Sequence, residues 1–392
     1  MKHWQETRQI LRRVVELGRA GHMCALATVT RIEGSAYRRP GAKLLIEDDG
    51  SALGGVSGGC LEEDVRQVGL QVLRSGESRL LHYATGDDDS KVWGLGLGCD
   101  GEVEILVQPV SSEAACGPWA EVQTLLEGDS PFTLSMRLTP GRAGAFLAVG
   151  ERGRIAGGLG ETEADAEAEA QATALIRAGR PSARPVPGST TVVTELLVPP
   201  LKLLVCGAGE DARPLVAVAS AAGFRVCVAD PRSAYLTAQR LPEAWKLLLL
   251  HPEDDSAELP GDRETYAVVM THSLERDTRW VRRLLATNVP YIGVLGPRAR
   301  TLKFLEELGA SGNERVFGPV GLDLGADGPE QVALSIVAEL LLVWSGREPR
   351  HLREREVAVH ADRWPPQGRG CRARGRLLDT DGAEQAGARD RR

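Results

Sequence analysis

LKLLVCGAGEDARPLVAVASAAGFRVCVADPR, residues 201–232, decides the fold. An apolar run enters a glycine turn, an amphipathic helix follows, and a second apolar run, RVCVAD, ends on Asp230. Gly207, Gly209 and Ala212 fit GxGxxA between strand and helix, the opening of a β–α–β unit. In such a turn the glycines let a pyrophosphate approach the backbone, and free amides at the helix N-terminus meet its charge. Asp230 lies 23 positions beyond Gly207, where an acidic side chain commonly bonds a ribose hydroxyl. NAD or another nucleotide is therefore the ligand expected here, although such turns also serve packing alone. Cys206 and Cys227, at strand ends, read as small buried hydrophobes.

Strand–helix alternation continues through YAVVMTHS (266–273), VPYIGVLG (289–296) and PEQVALSIVAELLLVWSG (329–346). The class is α/β: a C-terminal Rossmann-like, doubly wound parallel sheet with a smaller N-terminal α/β domain. At 392 residues the chain is too long for one ordinary domain. The expected divisions are an N-terminal unit at 1–110, a connecting region with a helix and short strands at 111–199, the Rossmann-like domain at 200–347, and a tail at 348–392. From residue 350 onward the chain holds 11 arginines and 7 acidic residues among glycine and proline, which reads as a disordered, solvated tail, Cys371 included.

The balance of 47 basic and 54 acidic residues, net −7, gives no global attraction to nucleic acid. No apolar run is long enough for a membrane helix, and the first twenty residues form an amphipathic helix rather than a signal peptide, so a cytoplasmic protein is expected. Seven scattered cysteines without a CxxC pair argue against a disulfide framework or zinc ribbon.

Three glycine-bearing stretches crowd the first 101 residues: GSAYRRPGAK (34–43), GGVSGGCLEED (54–64) and GLGLGCDG (94–101). Loop glycines bring amides close to an anion and Arg38, Arg39 and Lys43 add charge, so a phosphate or pterin-phosphate pocket is one reading, and tight hairpins are the other. Cys60 follows Gly58 and Gly59 at the start of a helix, where the N-terminal field favours thiolate, while Glu62 and Glu63 oppose it. A thiolate there could bind a soft metal or carry sulfur. Cys99 sits in a second loop and could converge on the same ligand. His82 reads as a packed or half-exposed strand histidine.

In their order and spacing GSAYRRPGAKLLI, GGVSGGCLEEDV, GLGCDGEVEILVQP, CGAGEDARPL, THSLERD, YIGVLGPRAR and GPVGLDLGADGPEQVALSIVAEL resemble the XdhC/CoxI family along most of residues 10–345. The resemblance implies a factor that binds and protects molybdenum cofactor, promotes its sulfuration with a cysteine desulfurase, and helps insert it into an apo molybdenum hydroxylase of the xanthine dehydrogenase type. Its glycine–arginine stretch falls on Gly34, Ser35, Arg38, Pro40 and Gly41, and its GGC(L)E stretch on Gly58, Gly59, Cys60 and Glu62, with Cys60 the position that would meet the metal. Tyr37 stands where relatives often carry proline, and THSLERD departs from the usual form after THS, where relatives carry a second histidine or a short polar residue, which weakens His272 and Asp277 as candidates. Such a chaperone needs no turnover, only selective binding and release. The sequence is also compatible with a homodimer. The rival readings are an NAD(P)-dependent oxidoreductase built on the Gly207 turn and Asp230, which lacks a Tyr-xxx-Lys motif, and an adaptor without bound cofactor.

Overall fold

The computed structural model describes residues 2–34, 38–85, 101–139, 141–178, 183–185 and 191–354. Ser35, Tyr37, Cys99 and Cys371 lie outside them, as do residues 355–392 of the tail.

The chain opens with α1 (Lys2–Arg19), which places Trp4, Ile10, Leu11, Val14, Val15 and Leu17 on one buried side. Next come β1 (Cys24–Gly34), β2 (Lys43–Glu47), β3 (Ala52–Gly54), α2 (Glu62–Ser75), β4 (Arg79–Thr85) and β5 (Gly101–Val110). The strands form an antiparallel sheet in the order β3-β2-β1-β5-β4. Alternation along β1 sends Ala25, Ala27 and Val29 toward α2 and Leu26 toward α1, so the sheet is covered on both faces.

The stretch expected to connect carries a sheet of its own. After α3 (Ser112–Cys116) and α4 (Pro118–Glu127) run β6 (Phe132–Arg137), β7 (Phe146–Gly150), β8 (Gly153–Gly157), α5 (Thr162–Ala178), β9 (Ala183–Pro185) and β10 (Val192–Leu197). The order is β8-β7-β6-β10-β9, all antiparallel. One face shares a core with α1 and α4 through Trp4, Trp119, Phe132 and Leu134. Its other face packs Leu147, Val149 and Val192 on Ala168 and Ala172 of α5.

The Rossmann part comprises β11 (Lys202–Cys206), α6 (Ala212–Ala221), β12 (Arg225–Asp230), β13 (Lys246–Leu249), β14 (Thr265–Val269), α7 (Leu274–Leu285), β15 (Ile292–Val294), α8 (Arg298–Glu307), β16 (Val316–Phe317) and α9 (Pro329–Ser345). All six strands are parallel, as the alternation predicts, and they lie in the order β13-β12-β11-β14-β15-β16. The order reverses between β11 and β14, and their C-terminal ends define the switch point where ligands of such sheets bind. The opposite edge holds the rest of the molecule: the Arg225 guanidinium donates to Asp129 and to the Gly128 carbonyl (3.0 Å), and Lys202 pairs with Asp129 at 3.6 Å.

Candidate functional site

The candidate residues of the first unit separate into two groups. Arg38 Nη1 donates to both carboxylate oxygens of Glu6 in α1, at 3.1 and 3.0 Å. A Cβ placed on Gly55 would lie 3.2 Å from Arg38 Nη2 and 3.3 Å from Glu62 Oε1, so the guanidinium reaches the GGVSGGC loop. Glu62 organises that loop by accepting from the amides of Val56 (3.2 Å) and Ser57 (2.8 Å) and from the Ser57 hydroxyl. Ser57 Oγ in turn accepts from the amides of Gly59 (3.1 Å) and Leu61 (3.0 Å) and from the Cys60 thiol (3.4 Å). Burial alone would raise the Glu62 carboxyl, but these hydrogen bonds outweigh it and hold the group below the usual carboxylate range. Gly58 and Gly59 are exposed, Cys60 is half-buried, and Arg38 Nε has no hydrogen-bond partner among the described residues. The arrangement offers a thiol, a guanidinium and exposed glycine backbone on one surface. It can engage an anionic group and a soft metal together.

Gly41 and Lys43 belong elsewhere. Strand alternation sets Glu195 of β10 on the same side as Val193 and Leu197, facing the first unit. There it meets Lys43 Nζ at 2.6 Å, both side chains being almost wholly buried, and His3 Nε2 at 3.4 Å. Lys43 also donates to the Gly41 carbonyl at 2.9 Å. Gly41 has φ +93°, and a Cβ there would lie 2.2 Å from Glu195 Oε2, so only glycine lets the carboxylate reach the lysine. The lysine read from sequence as an anion ligand thus has its charge spent on a buried ion pair between two sheets. Gly34 ends β1 opposite Gly101 of β5. His82 is exposed, 3.5 Å from Glu104.

At the Rossmann turn Gly207 has φ +117°, and a Cβ there would lie 2.7 Å from the Met270 carbonyl, which explains the glycine by strand-end packing alone. Above Gly209 there is open space. Asp230 is bound from within. Its Oδ2 accepts from the Ala208 amide (2.8 Å) and Arg232 Nη2 (2.8 Å), and its Oδ1 from the Arg232 amide (2.9 Å) and Nε (2.9 Å). With both oxygens engaged and 1% of the residue exposed, the carboxylate is not presented to a ribose. Burial would raise its pKa, but Arg232 and the Ala208 amide bring it below the ordinary value.

His272 is the non-glycine residue with positive φ (+59°) among the described residues, and its Nε2 lies 3.1 Å from Asp211 Oδ2. Ser273 caps α7 by accepting from the Arg276 amide at 3.5 Å, and Asp277 is fully buried, paired with Arg300 and bonded to the Thr271 amide (3.1 Å) and hydroxyl (2.5 Å). Cys206 and Cys227 are buried, as expected.

Burial lowers the Arg39 pKa, with a smaller contribution from the charge of Arg347. Sequence reasoning missed Ser57, Glu6, Glu195, Arg232 and Asp211. Glu195 had a signal, a carboxylate inside the apolar run VVTELL.

Fold and site define a Rossmann domain joined to an α/β unit that bears a thiol–arginine loop pair. The chain belongs to the XdhC and CoxI family: that family's model matches residues 17–84, and the model of the XdhC Rossmann domain matches residues 203–340. It is 31% identical to a probable xanthine dehydrogenase subunit of Bacillus subtilis, over 81% of this chain and 92% of that one. It is 25% identical to the molybdenum cofactor insertion chaperone PaoD of Escherichia coli, over 87% and 93% of the two chains. Among solved structures, a xanthine dehydrogenase from Bacillus halodurans superposes with a TM-score of 0.71 at 26% identity, over 86% of this chain and 96% of that one. No helix of the described residues is long and apolar enough to cross a membrane.

Proposed function

We propose that this chain is an accessory protein that binds molybdenum cofactor as cargo and delivers it to an apo molybdenum hydroxylase of the xanthine dehydrogenase type. The observation that carries the reading is that the Arg38 guanidinium reaches the GGVSGGC loop at Gly55, the same loop in which Glu62 and Ser57 order Cys60. The likeness to PaoD, whose name states cofactor insertion, supports the same reading. Arg38, with exposed amides around Gly58 and Gly59, would hold the cargo's phosphate, and Cys60 would face the metal or its exchangeable ligand. Sulfuration with a cysteine desulfurase would use the same thiol surface. The oxidoreductase alternative loses its ribose anchor, because Asp230 is closed off by Arg232.

The test is co-purification from cells that make the cofactor, with molybdenum read by elemental analysis and pterin by fluorescence after oxidation. Wild-type chain retains both, whereas Cys60→Ala loses most of the molybdenum and fails to activate the apo-hydroxylase. Unchanged retention and activation in Cys60→Ala would overturn the role of the thiol. A wild-type chain that binds the hydroxylase but never pterin would favour the adaptor.

A further inference from the structure

A crevice of about 240 Å³ opens at the switch point of the parallel sheet. Met270, Leu295, Val332, Ala333 and Ile336 give it apolar walls, and Asp211 is its charged group. A dinucleotide asks two things of this edge: an acidic side chain for the ribose diol, and helix-terminal amides free of competing anions for the pyrophosphate. Neither is met. Asp230 is saturated by Ala208 and Arg232, and Glu210 and Asp211 bring carboxylates to the start of α6, where the pyrophosphate would sit. Glu210 is neutralised by Arg213 (3.0 Å) and Arg240 (2.6 Å). Among the described residues Asp211 is met by His272, at 3.1 Å, and it keeps 35% of its side chain exposed. His272 is held in its left-handed backbone by the bonds on either side of it: Asp277, clamped by Arg300, fixes Thr271, and Ser273 is committed to capping α7.

We propose that this crevice binds the ring of a flat nitrogen heterocycle with two adjacent N–H donors, the edge shared by guanine and pterin, pairing those donors with the Asp211 carboxylate. An ionised carboxylate accepts only, and its two oxygens match two parallel N–H groups. Adenine sets a ring acceptor beside its amino group, which would face a carboxylate lone pair. The apolar walls cover the ring faces, and the volume accommodates a bicyclic ring. The inference goes beyond cargo binding at the Cys60 loops, and it stands or falls separately.

Isothermal titration of the full chain with guanosine, 6-hydroxymethylpterin, adenosine and NADH tests it. Guanosine or the pterin binds at least about tenfold more tightly than adenosine and NADH, as two hydrogen bonds to a charged, partly exposed acceptor require. The tighter of the two identifies the source of the edge. In Asp211→Asn the preference disappears, because the amide turns a donor toward one of the ligand's donors. Adenosine or NADH binding as tightly, absence of binding by all four, or an unchanged preference in Asp211→Asn overturns the proposal. Should that variant fold poorly, the selectivity of the wild-type chain decides alone. None of these readouts involves molybdenum or Cys60, so cargo retention can fail without touching this result.

Discussion

Replacing Glu195 by Gln leaves the Lys43 ammonium buried without its counter-charge, and the structure sets the size of the penalty. Both side chains are nearly inaccessible and 2.6 Å apart. Burial by itself would raise the Glu195 carboxyl above its ordinary value of 4.5, but the charge of Lys43, with a contribution from His3, holds it at about 2. At about 1.4 kcal/mol per pKa unit, the ionised form is favoured in the folded state by about 3 kcal/mol. Breaking one side of a buried pair costs about 3–5 kcal/mol by general experience, so the two routes agree. Because the folded pKa is depressed, this contribution is full above the unfolded value of 4.5 and is lost as pH falls from there toward 2. Urea unfolding followed by circular dichroism should therefore place Glu195→Gln and Lys43→Met each about 3 kcal/mol below wild type at pH 7. Lys43→Met/Glu195→Leu, with both charges gone and the space filled, should recover to within about 1 kcal/mol. Between about pH 5 and 2 the wild-type advantage over Glu195→Gln should shrink. Single variants within about 1 kcal/mol of wild type, or a double variant as unstable as the sum of the singles, would refute the assignment of Lys43 to structure rather than to anion binding.

Gly207→Ala should cost at least about 2 kcal/mol in the same assay, since its Cβ would meet the Met270 carbonyl at 2.7 Å in a left-handed backbone; a neutral substitution would show that the strand ends can part. His272→Ala should be less stable than His272→Gly by about 1 kcal/mol, because both lose the contact with Asp211 and only alanine keeps the left-handed strain; equal stabilities would remove the strain argument. Iodoacetamide at pH 8, mapped by mass spectrometry, should label half-buried Cys60 and exposed Cys116. It should spare Cys24 and Cys227, whose thiols burial pushes up to about 12 and about 11, and Cys206, raised further by full burial. Rapid labelling of those three in folded protein would contradict the buried cores.

The parallel Rossmann-like sheet and the family were written in local patterns that survive without tertiary context. Apolar runs of strand length, alternating with helical periods and punctuated at Gly207 and Gly209, admit few arrangements once parallel crossovers must be right-handed. The ordered motifs did the same for the family, and the GGC loop before α2 was correctly placed by its glycines and the helical period after it. The second sheet was harder to read because β8 and β9 are short, and their pairing depends on partners distant in sequence. What each charged group does was decided only in three dimensions. Arg38, Gly41 and Lys43 lie within six positions of sequence and look like one anion cradle. Strand alternation turns Lys43 inward to Glu195, 152 positions away, whereas Arg38, in the loop before β2, is half-buried, paired with Glu6 of α1 and set beside the Cys60 loop. Asp230 likewise has the position of a ribose ligand but finds Arg232 and the Ala208 amide first. Local sequence determines backbone geometry through sterics and periodicity. A charge is committed by its nearest counter-charge and by its loss of water, and both depend on which distant strands pack together.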